Sequence, residues 1–116
     1  MKREFVEVEL FAKTWKALGL SDSDLRELQD LLLVQPKAGT MIRGASGARK
    51  LSVAFPGKGK SGSGRVIYVD FAVSERIYLL MAYPKGKHGT LTDSHKKAVY
   101  ELISELRKEE RKHGKQ

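Results

Sequence analysis

Basic and hydroxyl side chains of this sequence fall where they could act together on a phosphodiester. Lys50 and Ser52 alternate with apolar residues in one predicted strand, Arg65 opens the next, and Tyr83 closes the last. Lys85, Lys87 and His88 follow at once. Because alternate residues of a strand share a face, we expect these side chains to converge on one concave surface.

That set of groups suits metal-free cleavage of RNA. The reaction needs a base for the ribose 2′-hydroxyl, cations for the charge that grows on the phosphate, and a proton donor for the leaving 5′-oxygen. A lysine crowded by other cations loses its proton more readily, so Lys, Arg, His and Tyr suffice without a cofactor. The sequence does not decide which group is the base and which the acid.

Composition limits the kind of protein that carries these residues. The 116 residues are 41% hydrophobic and contain no cysteine, which predicts one domain with its own core and excludes thiol chemistry. No apolar run reaches the roughly 18 residues of a membrane span, and no signal-type stretch opens the chain. We therefore expect a cytoplasmic protein without a membrane partner.

Positive charge is concentrated in the middle of the chain. The formal net charge is +8, and residues 37–69 contain seven basic residues and no acidic one. Lys58 and Lys60 lie in a glycine-rich connection inside this stretch, and Arg49 precedes Lys50. A solvated surface explains such a run of basic residues equally well. The high net positive charge nevertheless suggests a polyanionic partner, most simply nucleic acid.

The elements that must position these groups can be predicted from periodicity and caps. Residues 4–10 begin as a strand, a short helix places Phe11 and Trp15 in the core, and Ser21 with Asp24 caps a second helix that ends before Pro36. Strands follow over 49–55, 65–71 and 77–83, and a helix over 92–106. We predict an α+β fold in residues 1–106, ordered β-α-α-β-β-β-α, with helices on one side of an antiparallel sheet and a polar tail over 107–116.

Other motifs in the chain are better explained without chemistry. Residues 57–62 spell G-x-G-x-x-G, but the dinucleotide fingerprint requires a helix where a strand is predicted here. The same objection applies to a P-loop. His88, Asp93 and His95 match no standard metal spacing, so no metal site is expected.

The order of elements, with residues 49–53 (RKLSV) and 64–68 (GRVIY), resembles the RelE/ParE superfamily of toxins from type II toxin-antitoxin systems. Residues 57–60 (GKGK) look most like its HigB branch, and the similarity covers roughly residues 4–107. RelE-type toxins enter the ribosomal A site and cut messenger RNA with Lys and Arg side chains instead of a metal. The resemblance also implies an antitoxin partner, expected to be of the helix-turn-helix type.

Carried over by position, the resemblance assigns most of the roles already suspected. Lys50 matches the first strand lysine of the family and Arg65 its strand-opening arginine, while RelE has a second lysine where this chain has Ser52. The expected catalytic residues are Lys50, Arg65, Lys85, Lys87 and His88. The expected RNA-binding residues are Arg49, Lys58, Lys60 and Tyr83.

Two other functions fit the same residues. A ParE-like protein would use this fold to inhibit DNA gyrase and would leave messages intact. A noncatalytic RNA-binding or ribosome-associated domain would use the cations for phosphate contacts alone, with steep salt dependence and no cleavage.

Overall fold

The computed structural model describes residues 2–54, 64–85 and 92–114. Their elements are β1 (Glu4–Glu7), α1 (Glu9–Ala17), α2 (Asp22–Val34), β2 (Thr40–Met41), β3 (Arg49–Val53), β4 (Gly64–Phe71), β5 (Arg76–Pro84) and α3 (Asp93–Gly114). The predicted α+β class is confirmed. No helix among the described residues is long and apolar enough to cross a membrane.

The local signals that predicted the first two helices are confirmed. The Ser21 side chain accepts a hydrogen bond from the Asp24 amide, and the Asp24 carboxylate accepts one from the Ser21 amide. Gly19, at φ 75°, occupies the left-handed conformation between the helices. Trp15 is buried and donates its indole N–H to the Ser21 carbonyl, 3.2 Å away.

The five strands form one mixed sheet in the order β1-β5-β4-β3-β2. The prediction of a fully antiparallel sheet is wrong at β1, which runs parallel to β5 with Glu4 opposite Arg76. It also omitted the two-residue edge strand β2, which pairs with β3. Alternation of polar and apolar residues records which face a side chain takes, but not the direction of the neighbouring strand.

Helices cover both faces of the sheet, so the prediction of helices on one side is also wrong. Phe11 and Trp15 of α1, with Leu32 of α2, share a core cluster with one face of β3, β4 and β5. Val99 and Ile103 of α3 belong to a second cluster on the opposite face. Residues 77–83 of β5 are buried without interruption, and a strand that is buried on both sides needs cover on both sides.

Helix α3 continues through the stretch that was predicted to be a polar tail. Arg107 donates to the Ser46 carbonyl at 2.6 Å, and its guanidinium carbon lies 5.3 Å from the centre of the Phe71 ring. One turn further on, Glu110 accepts hydrogen bonds from Ser74, Arg76 and Tyr78. This half of the helix has no apolar stripe, and charged side chains attach it to the β4–β5 hairpin instead.

Glu110 makes the stability of this attachment depend on pH. Burial alone would raise the pKa of its carboxyl, but hydrogen bonds from Ser74, Tyr78 and Arg76, together with the Arg76 charge, lower that pKa overall. A carboxyl whose folded pKa lies below its unfolded value of about 4.3 stabilises the fold above that pH. This contribution is lost as the pH falls through the folded pKa.

We therefore expect Glu110→Gln to lower the urea midpoint at pH 7 and to have a progressively smaller effect below about pH 4. Urea unfolding of both proteins between pH 3 and pH 7 measures this. Glu101→Gln, at an exposed position of the same helix, is the charge-matched control. An effect of Glu110→Gln that is constant over this range would contradict the assigned role.

Candidate functional site

A β-bulge in β5 decides which face of the sheet Tyr83 occupies. Ile67 lies opposite Met81, whereas the next residue, Tyr68, lies opposite Leu79, so β5 contains one extra residue at this point. Leu80 and Met81 consequently belong to the same core cluster, on the face covered by α3. A bulge reverses the alternation beyond it, and Tyr83 therefore joins the α3 face.

Three strands contribute one row of side chains to this face. Ser52 of β3 lies opposite Arg65 of β4, which in turn lies opposite Tyr83 of β5. Lys50 is two residues from Ser52 and therefore shares its face, about 7–8 Å from Arg65 along the diagonal between strands. We call Lys50, Ser52, Arg65 and Tyr83 the sheet-face site.

The members of the sheet-face site differ in exposure and charge. Lys50 and Ser52 are exposed, and Arg65 is half-buried and donates to the Gly64 carbonyl at 3.0 Å. Tyr83 is buried, with 9% of its surface exposed. Burial raises the pKa of the Tyr83 phenol, and the positive charge of Arg65 only partly offsets this. A tyrosine phenol is protonated at neutral pH in any case, so this one can donate a proton or a hydrogen bond.

The predicted residues after β5 are described only in part. Pro84 lies opposite Gly64, so Lys85, which is exposed, leaves the sheet next to the start of β4. Lys58, Lys60, Lys87 and His88 lie outside the described residues.

Arg49 is not brought together with the sheet-face site. It lies opposite Tyr68, whose ring belongs to the core on the α1 and α2 face, whereas Lys50 points to the α3 face. The Arg49 guanidinium donates to the Gly39 carbonyl at 2.8 Å. Consecutive strand residues face opposite sides, so these two cations serve different surfaces.

Thr14 of α1 supports the strand just before Tyr83, a role that sequence reasoning did not identify. Pairing with β1 ends at Leu79, and beyond it the Thr14 hydroxyl oxygen accepts a hydrogen bond from the Ala82 amide at 3.0 Å. The same hydroxyl lies 2.9 Å from the Leu10 carbonyl, to which it donates. A threonine within the apolar stripe of Phe11 and Trp15 is the one sequence signal that could have indicated this contact.

Replacing Thr14 tests this support. Thr14→Val keeps the shape of the side chain but leaves the Ala82 amide without its acceptor, and we expect a loss of about 1–2 kcal/mol in the free energy of unfolding. Thr14→Ser retains the hydroxyl and should cost less. Hydrogen exchange at the Ala82 amide should accelerate in the valine variant only. Equal exchange rates in the two variants would contradict the role.

Among the described residues, no three histidine, aspartate or glutamate side chains lie close enough together to hold a metal ion.

The sheet-face site offers cations, a hydroxyl and a protonated phenol on one side of three neighbouring strands. Such a surface can bind a phosphodiester and stabilise negative charge that develops on it. No known protein-family model matches the chain.

Proposed function

We propose that this protein is a RelE-like toxin of the HigB type, which cleaves messenger RNA in the ribosomal A site without a metal. The observation that carries the proposal is the row of Arg65 and Tyr83 on adjacent strands, with Lys50 on the same face. The resemblance assigns Lys50 and Arg65, and Tyr83 stands in for a C-terminal tyrosine that RelE has and this chain lacks. The cognate antitoxin of the helix-turn-helix type is part of the same proposal.

The cleavage step would use the sheet-face site as follows. The ribose 2′-oxygen loses its proton to a base and attacks the neighbouring phosphorus, and the bond from phosphorus to the 5′-oxygen breaks. Arg65, with Lys50 beside it, stabilises the negative charge that grows on the phosphate oxygens. Tyr83, which is protonated at neutral pH as tyrosine ordinarily is, donates the proton that the leaving 5′-oxygen takes up.

The surroundings of the site suit a single-stranded RNA that the ribosome holds in position. Lys50 and Ser52 are exposed, and Arg65 beside them is half-buried. Exposed cations are a common means of binding the phosphates of unpaired nucleotides. The ribosome would supply the codon and its geometry.

Controlled expression in a bacterial host tests the proposal. Growth is followed for minutes after induction, and primer extension maps cuts in an abundant message and in an untranslated version of it. We expect growth arrest with cuts confined to the translated message. Growth arrest with intact messages would instead favour a gyrase inhibitor, and neither arrest nor cuts would favour a noncatalytic RNA-binding domain.

A further inference from the structure

A second cationic surface lies at the other end of β4 from Arg65. Arg65 is the second residue of β4 and Phe71 is the last, so the two residues are about 20 Å apart. An open groove of about 1070 Å³ runs here between the β4–β5 hairpin, the start of β3 and the C-terminal half of α3. A hollow of about 540 Å³ adjoins it and shares Lys37, Asp70 and Ala72 with it. We call the larger one the hairpin groove.

Positive charge in the hairpin groove exceeds negative charge. Its charged lining residues are Lys37, Arg49, Asp70, Arg76, Arg107, Glu110 and Arg111. Both acids are already engaged: Asp70 pairs with Arg3 at 2.8 Å, and Glu110 pairs with Arg76 at 3.1 Å. In the part of the chain that the structure describes, the other four cations form no ion pair with a carboxylate.

Two of these cations are held in place before any ligand binds. Arg49 is tied to the Gly39 carbonyl, and Arg107 to the Ser46 carbonyl and the Phe71 ring. Each of these contacts occupies only part of a guanidinium, which carries five N–H donors. An arginine that is already ordered loses less side-chain entropy when it binds a phosphate. Lys37 and Arg111 add exposed charges to the lining of the same groove.

We propose that the hairpin groove binds the phosphodiester backbone of an RNA helix. Fixed arginines in an open groove with unopposed positive charge suit a row of phosphates, which such side chains contact irrespective of sequence. This inference rests on the proposed function, because a toxin that acts in the ribosomal A site would meet helices of ribosomal RNA. The hairpin groove would then bind the ribosome, and the sheet-face site would receive the message.

Removal of two exposed charges tests the groove. In Lys37→Gln/Arg111→Gln neither position has an ion pair among the described residues, so the fold should be kept. Lys16→Gln/Arg26→Gln removes the same charge from exposed positions of α1 and α2, outside the groove. The probe is a fluorescent RNA hairpin of about 20 base pairs, titrated at several salt concentrations.

We expect the groove variant to lower the slope of log affinity against log salt by about 2, and the control variant to leave it nearly unchanged. Equal losses in both variants would overturn the proposal, because binding would then follow net charge alone. The proposal would also be overturned if a polyglutamate peptide bound the groove more tightly than the RNA hairpin does. That result would indicate that the partner is an acidic protein segment.

The hairpin titration needs no cleavage, so the two proposals can fail separately. If the hairpin binds through Lys37 and Arg111 but expression leaves translated messages intact, the proposed nuclease function fails and the RNA-binding groove stands. If translated messages are cut equally by the wild type and by the groove variant, and hairpin binding is also unchanged, the groove proposal fails alone.

Discussion

Arg65→Ala is expected to reduce cleavage of translated messages by about 10²- to 10³-fold, the usual cost of removing one donor that stabilises charge in a transition state. Arg65 lies at the centre of the row, between Ser52 and Tyr83, and no other described cation occupies that position. Primer extension after brief induction measures the cuts, and growth rate after induction gives a second readout.

Arg43→Ala is the matched control for this prediction. Arg43 is exposed, belongs to the same acid-free stretch of the sequence and lies between β2 and β3, away from the row. We expect it to arrest growth as the wild type does. Lys50→Ala should act in the same direction as Arg65→Ala. If Arg65→Ala, Lys50→Ala and the double variant all cut messages like the wild type, the sheet-face site is not the active site.

Tyr68→Phe is expected to lower the free energy of unfolding by about 2–4 kcal/mol, because two buried backbone groups lose their partner. The Tyr68 hydroxyl donates to the Pro36 carbonyl and accepts from the Gly39 amide, each at 2.9 Å, and the residue is fully buried. Phenylalanine fills the same space, so the loss isolates the hydrogen bonds from the packing.

Tyr68 therefore anchors the connection between α2 and β2 to the middle of the sheet. Gly39 fits against it closely, since a Cβ atom there would lie 3.0 Å from the Tyr68 ring. Urea denaturation of the variant measures the loss, with Tyr100→Phe on the exposed side of α3 as the control. A loss below about 0.5 kcal/mol would mean that water or another group replaces the hydroxyl.

Local patterns were sufficient for much of the framework. The alternation in β3 placed Lys50 and Ser52 on one face, and the capping box located the start of α2. Arg65 at the opening of β4 was equally predictable. These features depend on neighbours within a few residues, which periodicity and capping record directly.

The hairpin groove, in contrast, was beyond prediction from these patterns. Arg49 and Lys37 belong to the acid-free stretch, but Arg107 and Arg111 come from α3, which was expected to end before them. The continuation of α3 depends on Glu110 reaching Ser74, Arg76 and Tyr78, more than 30 residues away in sequence.

The sequence by itself determined the α+β class, the strongly basic character and the candidate cations of β3 and β4. Only the tertiary structure decided that β1 runs parallel to β5, that α3 takes the second face, and that the bulge at Leu80 turns Tyr83 toward Arg65. The reason is physical: these outcomes depend on pairings such as Thr14 with Ala82, 68 residues apart, whose stability comes from packing across the whole domain.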